Sequence, residues 1–162
     1  MKVGAIAYRK TPRGIEFCLV SSRRHKGKMT FPKGIVQRGE ALVAAAKREL
    51  FEEAGLRGKV KQKSQPVCYH PRTKGEESVL YFLIKVTEVA EIWPEADQRT
   101  RVFATLGNFK GLSLGDAPRQ LRRHLKRLPR FVEHATVAGV KPARPRVSTK
   151  GSSRRLTPSR LQ

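Results

Sequence analysis

The run from Gly34 to Leu56, GIVQRGEALVAAAKRELFEEAGL, constrains this chain more than any other stretch. Read as a helix, it sets Glu49, Glu52 and Glu53 at i, i+3 and i+4, which places the three acids within about 100° of one another on consecutive turns of one face. Like charges so placed repel, and a purely structural helix has little reason to collect them. A hard divalent cation supplies one, because Mg²⁺ takes carboxylate oxygens and keeps open positions for water and phosphate. Beside the acids, Val43, Ala46, Leu50 and Ala54 recur at helical spacing and predict an apolar stripe for packing. Gly55 stands where a left-handed residue ends a helix, and Gly34 and Gly39 bracket the loop that enters it.

The competing reading is a solvated acidic face, the ordinary fate of charge runs on helices. The rest of the chain argues against it. The net charge is +22 and the isoelectric point near 11.1, so three clustered acids with glycines at both ends are out of keeping with their surroundings. That excess of cations implies attraction to polyanions: polyphosphates, phosphorylated small molecules, nucleic acid or anionic surfaces.

The same residues carry a family resemblance. Gly34, Glu40, Arg48, Glu49, Leu50, Glu52, Glu53, Gly55 and Leu56 fill every fixed position of the Nudix box. The resemblance implies an α/β/α sandwich with a mixed sheet, the box forming loop, helix and loop. It implies metal-dependent hydrolysis of a pyrophosphate, with Mg²⁺ as cofactor and Mn²⁺ as a substitute. It also implies that Glu49, Glu52, Glu53 and the Gly34 carbonyl hold metal, and that Glu40 and Arg48 brace loop and helix. Arg48, four residues before Glu52, is expected to hold that glutamate in its ligating rotamer.

Around the box the chain reads as strands. Val3, Ala5 and Ala7 alternate, Ile15–Ser21 is a second β-rich run, and Thr11-Pro12-Arg13-Gly14 predicts a hairpin turn between them. The loop Ser22–Lys28 follows, with Arg23 and Arg24 as candidate phosphate ligands. Met29–Lys33 is expected to be one short strand that delivers Lys33 to the cleft. Phe31-Pro32-Lys33-Gly34 resembles enzymes that cleave diadenosine polyphosphates, and Leu19–Ser22 through Arg24-His25 resembles the diphosphoinositol polyphosphate phosphohydrolases.

After the box, Lys59–Tyr69 predicts a strand interrupted by Pro66, and Val79–Val89 a central one. Arg72 and Lys74 in the connection are further candidate phosphate contacts. Trp93 is expected to bury against the sheet. Arg101-Val102-Phe103 lacks the acid that the resembling groups carry there, and Glu76, Glu77, Glu95 and Asp97 are unranked substitutes for a further ligand or base. Asp116 is the expected N-cap of a helix from Ala117 to Leu128 that Pro129 breaks.

Length and patterning predict one domain over residues 1–137, followed over 138–162 by a basic, acid-free, Pro- and Ser-rich tail expected to be disordered. That tail holds seven cations, too few to account for the charge of the chain. Cys18 and Cys68 are expected to be reduced core residues. With no long apolar run for a membrane span or signal peptide, the expected compartment is the cytoplasm. The expected function is a Mg²⁺-dependent phosphoanhydride hydrolase acting on a densely phosphorylated small molecule. An RNA 5′-end pyrophosphohydrolase using the basic helix and tail, and a non-catalytic nucleic-acid or polyphosphate-binding module, are the alternatives.

Overall fold

In a computed structural model, the described residues are 1–61, 65–71 and 75–127. Arg72, Lys74, Pro129 and the tail expected over 138–162 lie outside them. The chain forms β1 (Lys2–Thr11), β2 (Gly14–Ser21), β3 (Met29–Thr30), β4 (Lys33–Ile35), α1 (Leu42–Ala54), β5 (Leu56–Val60), β6 (Val67–Tyr69), β7 (Val79–Val89), β8 (Arg101–Thr105), a 3-10 turn (Asn108–Gly111) and α2 (Asp116–Leu125).

Alternation along the strands divides the core in two. Val3, Ala5 and Ala7 of β1, Cys18 and Val20 of β2, and Phe82 and Ile84 of β7 pack with Ala45, Ala46, Leu50 and Ala54 of α1. The intervening Ile6, Tyr8, Phe17, Leu19, Tyr81 and Leu83 pack with Ala117, Leu121 and Leu125 of α2. A sheet apolar on both faces needs a layer on each. The result is a mixed sheet between two helices, the α/β/α arrangement that the resemblance implies.

β1 lies at the centre, parallel to β7 and antiparallel to β2. Its other edge is shared: Tyr8–Thr11 pair with β2, while Lys2–Gly4 pair with β4. Phe31 and Pro32 therefore split the single strand expected over Met29–Lys33 into β3 and β4, and the Pro32 carbonyl accepts from Ala5 N at 2.9 Å. Gly4 is required at this crossing, since a Cβ there would stand 2.5 Å from Tyr81 Cε1 and 2.6 Å from Pro32 O. The Lys59–Tyr69 run is likewise two pieces, β5 and β6, both antiparallel to β7 along the same edge.

Three local expectations need correction. Val43 is 37% exposed, and Ala45 takes its place in the buried stripe, while Leu42 is the first-turn residue that packs against the core. Asp116 is the first residue of α2 and pairs with Arg119 at 3.0 Å; Gly115 occupies the N-cap position. Cys18 is buried as expected, but Cys68 is exposed, since odd positions of β6 face the core. Gly55 does end α1 in the left-handed conformation (φ 63°), its N–H bonded to Phe51 O at 2.8 Å.

Candidate active site

α1 starts without a capping side chain; its entry loop is tied down by Arg48 instead. The Arg48 guanidinium grips Glu40 as a fork, Nε to Oε1 at 2.8 Å and Nη2 to Oε2 at 2.9 Å. Nη2 also donates to Ile35 O at 3.0 Å, and Gln37 N donates to Glu40 Oε2 at 3.0 Å. The remaining nitrogen, Nη1, donates to Glu49 Oε1 at 2.7 Å and Glu52 Oε2 at 3.0 Å. One arginine thus orients two of the three acids and fixes the loop that carries Gly34. Its hydrogen bonds, with that of Gln37 N, hold the Glu40 carboxyl down at about 2. Glu49 is shifted upward because burial outweighs Arg48.

Gly34 lies in β4 opposite Val3. A Cβ at this position would overlap the Glu49 carboxyl. Glycine is what lets that carboxylate settle against the loop.

Glu53 turns inward from the same helix and is 6% exposed. Its Oε2 accepts from Lys33 N at 3.1 Å, and its Oε1 is ion-paired with Arg99 Nη2. Burial pushes the carboxyl up to about 7, against the lowering influence of Arg99 and Lys33. Lys33 is shifted downward by burial, and its ammonium donates to Thr30 Oγ1 at 3.3 Å.

Arg99 is a residue that sequence reasoning did not single out. It also donates to Glu95 Oε2 at 2.8 Å and Ser21 O at 2.7 Å, linking the loop after β7 and the end of β2 to the box helix. Arg23 completes the chain of charges, Nη1 to Glu95 Oε1 at 3.1 Å. Glu95 raises both Glu49 and Glu53 electrostatically, which brings it to the box site. Glu76 pairs with Arg24 at 3.4 Å and Glu77 with Lys2 at 3.3 Å, on the opposite rim. Arg101, where the resembling groups carry an acid, donates to Ala54 O at 2.7 Å and lies 4.4 Å from the Trp93 ring centroid. There it closes the carbonyl end of α1, where a cation is favoured. Trp93 is half-buried beside Gly55 and Arg101.

Next to the box a cavity of about 280 Å³ is lined by Lys33, Arg24, His25, Lys28, Lys2 and Arg119 among others. Lys33 and Arg24 both line this cavity. Arg23 does not line it and faces Glu95.

The donor set suits a hard cation, being all carboxylate oxygen, and among the described residues neither Glu49 Oε2 nor Glu52 Oε1 is engaged in a hydrogen bond. Among the described residues no three acidic groups stand close enough to enclose an ion as they are.

A family model of the NUDIX domain matches residues 1–128, and the chain belongs to that family. Among curated relatives, Nudix hydrolase 4 of Arabidopsis thaliana is 35% identical over 96 residues, 57% of this chain and 44% of that protein. Nudix hydrolase 17, mitochondrial, of the same plant is 33% identical over 109 residues, 62% of this chain and 59% of that protein. The chain thus spans about half the length of the curated relatives it matches. The fold is shared with the crystal structure of C. elegans Ap4A hydrolase, TM-score 0.60 at 23% identity, covering 81% of this chain and 96% of that one.

Proposed function

We propose that this chain is a Mg²⁺-dependent Nudix pyrophosphohydrolase, with Mn²⁺ as a substitute metal, that cleaves a phosphoanhydride in a densely phosphorylated small molecule. Diadenosine polyphosphates and diphosphoinositol polyphosphates are the two substrate classes we favour. The observation that carries the reading is Arg48 holding both Glu49 and Glu52, while Lys33, whose backbone N–H bonds Glu53, lines a neighbouring cavity together with Arg24.

Glu49, Glu52, Glu53 and the Gly34 carbonyl would hold the metal, which when bound polarises phosphoryl oxygens and lowers the pKa of a bound water. The chain's own residues supply the rest. Arg48 keeps Glu49 and Glu52 in fixed orientation on α1. Lys33 and Arg24 neutralise the phosphates and hold the anhydride against the acids. Arg23 and Arg99 each hold one oxygen of Glu95, and this carboxylate is the proton acceptor we assign within the proposal.

The cytoplasm belongs to this proposal as the compartment, and fractionation of a tagged chain tests it. Among the described residues no helix is long and apolar enough to cross a membrane. A second reading, action on RNA 5′ ends, draws on the cations of α2: Arg119, Arg122 and Arg123.

Product formation on a panel of diadenosine polyphosphates, diphosphoinositol phosphates, nucleoside diphosphate sugars, nucleoside triphosphates and 5′-triphosphorylated RNA decides between them. Turnover of the first two classes with Mg²⁺, abolished by chelator, supports the proposal. Turnover of RNA alone, with steep salt dependence, replaces it with the second reading. Tight binding of the panel with no turnover would make the chain a binding module.

A further inference from the structure

A second cationic groove lies between the Asn108–Gly111 turn and α2, lined by Lys28, Lys110, Arg119 and Arg122 over Phe109 and Leu114. We propose that this groove is a distal anion subsite, receiving phosphate groups of the substrate that lie beyond the anhydride being cleaved. The inference deepens the hydrolase reading and rests on it for the identity of the site next door.

The charge pattern separates the groove from the cleft. In the cleft the acids are countered by cations: Glu76 by Arg24, Glu77 by Lys2, Asp116 by Arg119. Among the described residues no acid lines the groove, and Lys28, Lys110 and Arg122 make no ion pair. Like charges gathered in one concavity repel, and multivalent phosphate is the ligand that relieves them.

Arg122 supplies an independent sign. Its Nε is shielded from solvent and has no hydrogen-bond acceptor. A buried guanidinium N–H without a partner is costly, and a phosphate oxygen in the groove satisfies it.

The two concavities adjoin. Lys28 and Arg119 line both. The shared wall is held to the sheet, since Met29 N donates to Ser113 O at 2.7 Å and Gly115 N to Met29 O at 2.8 Å. An extended chain of phosphates entering past Lys33 therefore meets a fixed cationic path that runs on past Lys28 to Lys110 and Arg122.

The experiment compares equilibrium binding of a linear inorganic polyphosphate with that of tripolyphosphate, in chelator so that nothing is hydrolysed. Wild type, Lys110→Ala and Lys110→Ala/Arg122→Ala are measured across a salt series, with thermal unfolding as the folding control. The long chain should bind the double variant at least about tenfold more weakly than wild type, with a salt slope lower by about 2. Tripolyphosphate, short enough to stay in the cleft, should bind all three alike. Lys110 is exposed, so Lys110→Ala carries the test if the double variant does not fold, with a slope lower by about 1. Unchanged affinity and slope for the long chain overturn the subsite. So does a loss confined to a single-stranded oligonucleotide, which would assign the groove to RNA. A hydrolysis assay alongside separates the two proposals. Turnover without the chain-length effect removes the groove alone; the chain-length effect without turnover removes the hydrolase reading alone.

Discussion

Arg99 lies across the buried carboxylate of Glu53, pairing the loop after β7 with a box glutamate 46 residues earlier in the chain. Both side chains are only 7% exposed. Removing one member of such a pair leaves the other charge buried and unmatched, a change that commonly costs about 3–5 kcal/mol. Arg99→Ala is therefore expected to lower the stability of the metal-free protein by about 3 kcal/mol at pH 8. Urea unfolding with unchanged m-value checks it; a loss below about 1 kcal/mol would mean that solvent already screens the pair.

Glu53 also predicts a pH dependence. Its folded value of about 7 is raised above the ordinary 4.5. Such a group favours folding fully below 4.5 and loses that contribution as pH rises through 7. In chelator, wild type should lose roughly 3 kcal/mol relative to Glu53→Gln across this window. A pH-independent difference between the two proteins would contradict the raised value.

Arg48 serves Glu40, Glu49 and Glu52 at once through its planar fork, a task one ammonium group cannot perform. Arg48→Lys is expected to fold and to lose about 10–100-fold in kcat/KM. The Glu40 carboxyl, held at about 2 by Arg48, should return toward 4.5 in carboxylate NMR titration. For a depressed acid the stabilising contribution is present above the unfolded value and lost as pH falls through the folded one. In wild type that contribution is complete above 4.5 and drains away as pH falls toward 2. A Glu40 titration unmoved by the substitution would show that Gln37 N alone holds it.

Gly34→Ala separates site geometry from stability. The added methyl meets the far end of Glu49, a side chain free to swing away, and no backbone atom is among its nearest neighbours. The expected outcome is a Tm within a few degrees of wild type with Mg²⁺ affinity reduced about tenfold or more, read by calorimetry. Wild-type metal affinity in this variant would mean that Glu49 needs no fixed seat against the loop.

What could be read from the sequence was what depends on local period. The β1–β2 hairpin, α1 with its Gly55 stop and the central place of β7 follow from spacings of two and 3.6 and from turn residues. The stripe of α1 was misassigned by one residue because Val43 and Ala45 both suit an apolar helix face. Only the rotation of the helix against the sheet decides between them, and it buries Ala45 and exposes Val43. Arg99 and Glu95 sit in a loop without period, and their partners come from α1 and β2. Glu95 stood in the sequence as one of four unranked acids, and Arg99, four residues on, was passed over. Pro32 was visible, but the break it makes between β3 and β4 depends on β1 offering one edge to two strands.

The central claim is that the carboxylates gathered by Arg48 form the working end of a metal-dependent hydrolase. Glu52 tests it most directly, since its side chain is 38% exposed and its loss leaves the buried Glu53 pair intact. Mg²⁺-dependent turnover of Glu52→Gln should be compared with wild type on whichever phosphoanhydride the wild type cleaves, with thermal unfolding as the control. The account predicts an unchanged Tm and a kcat at least about 100-fold lower. Wild-type turnover by a folded Glu52→Gln would contradict it.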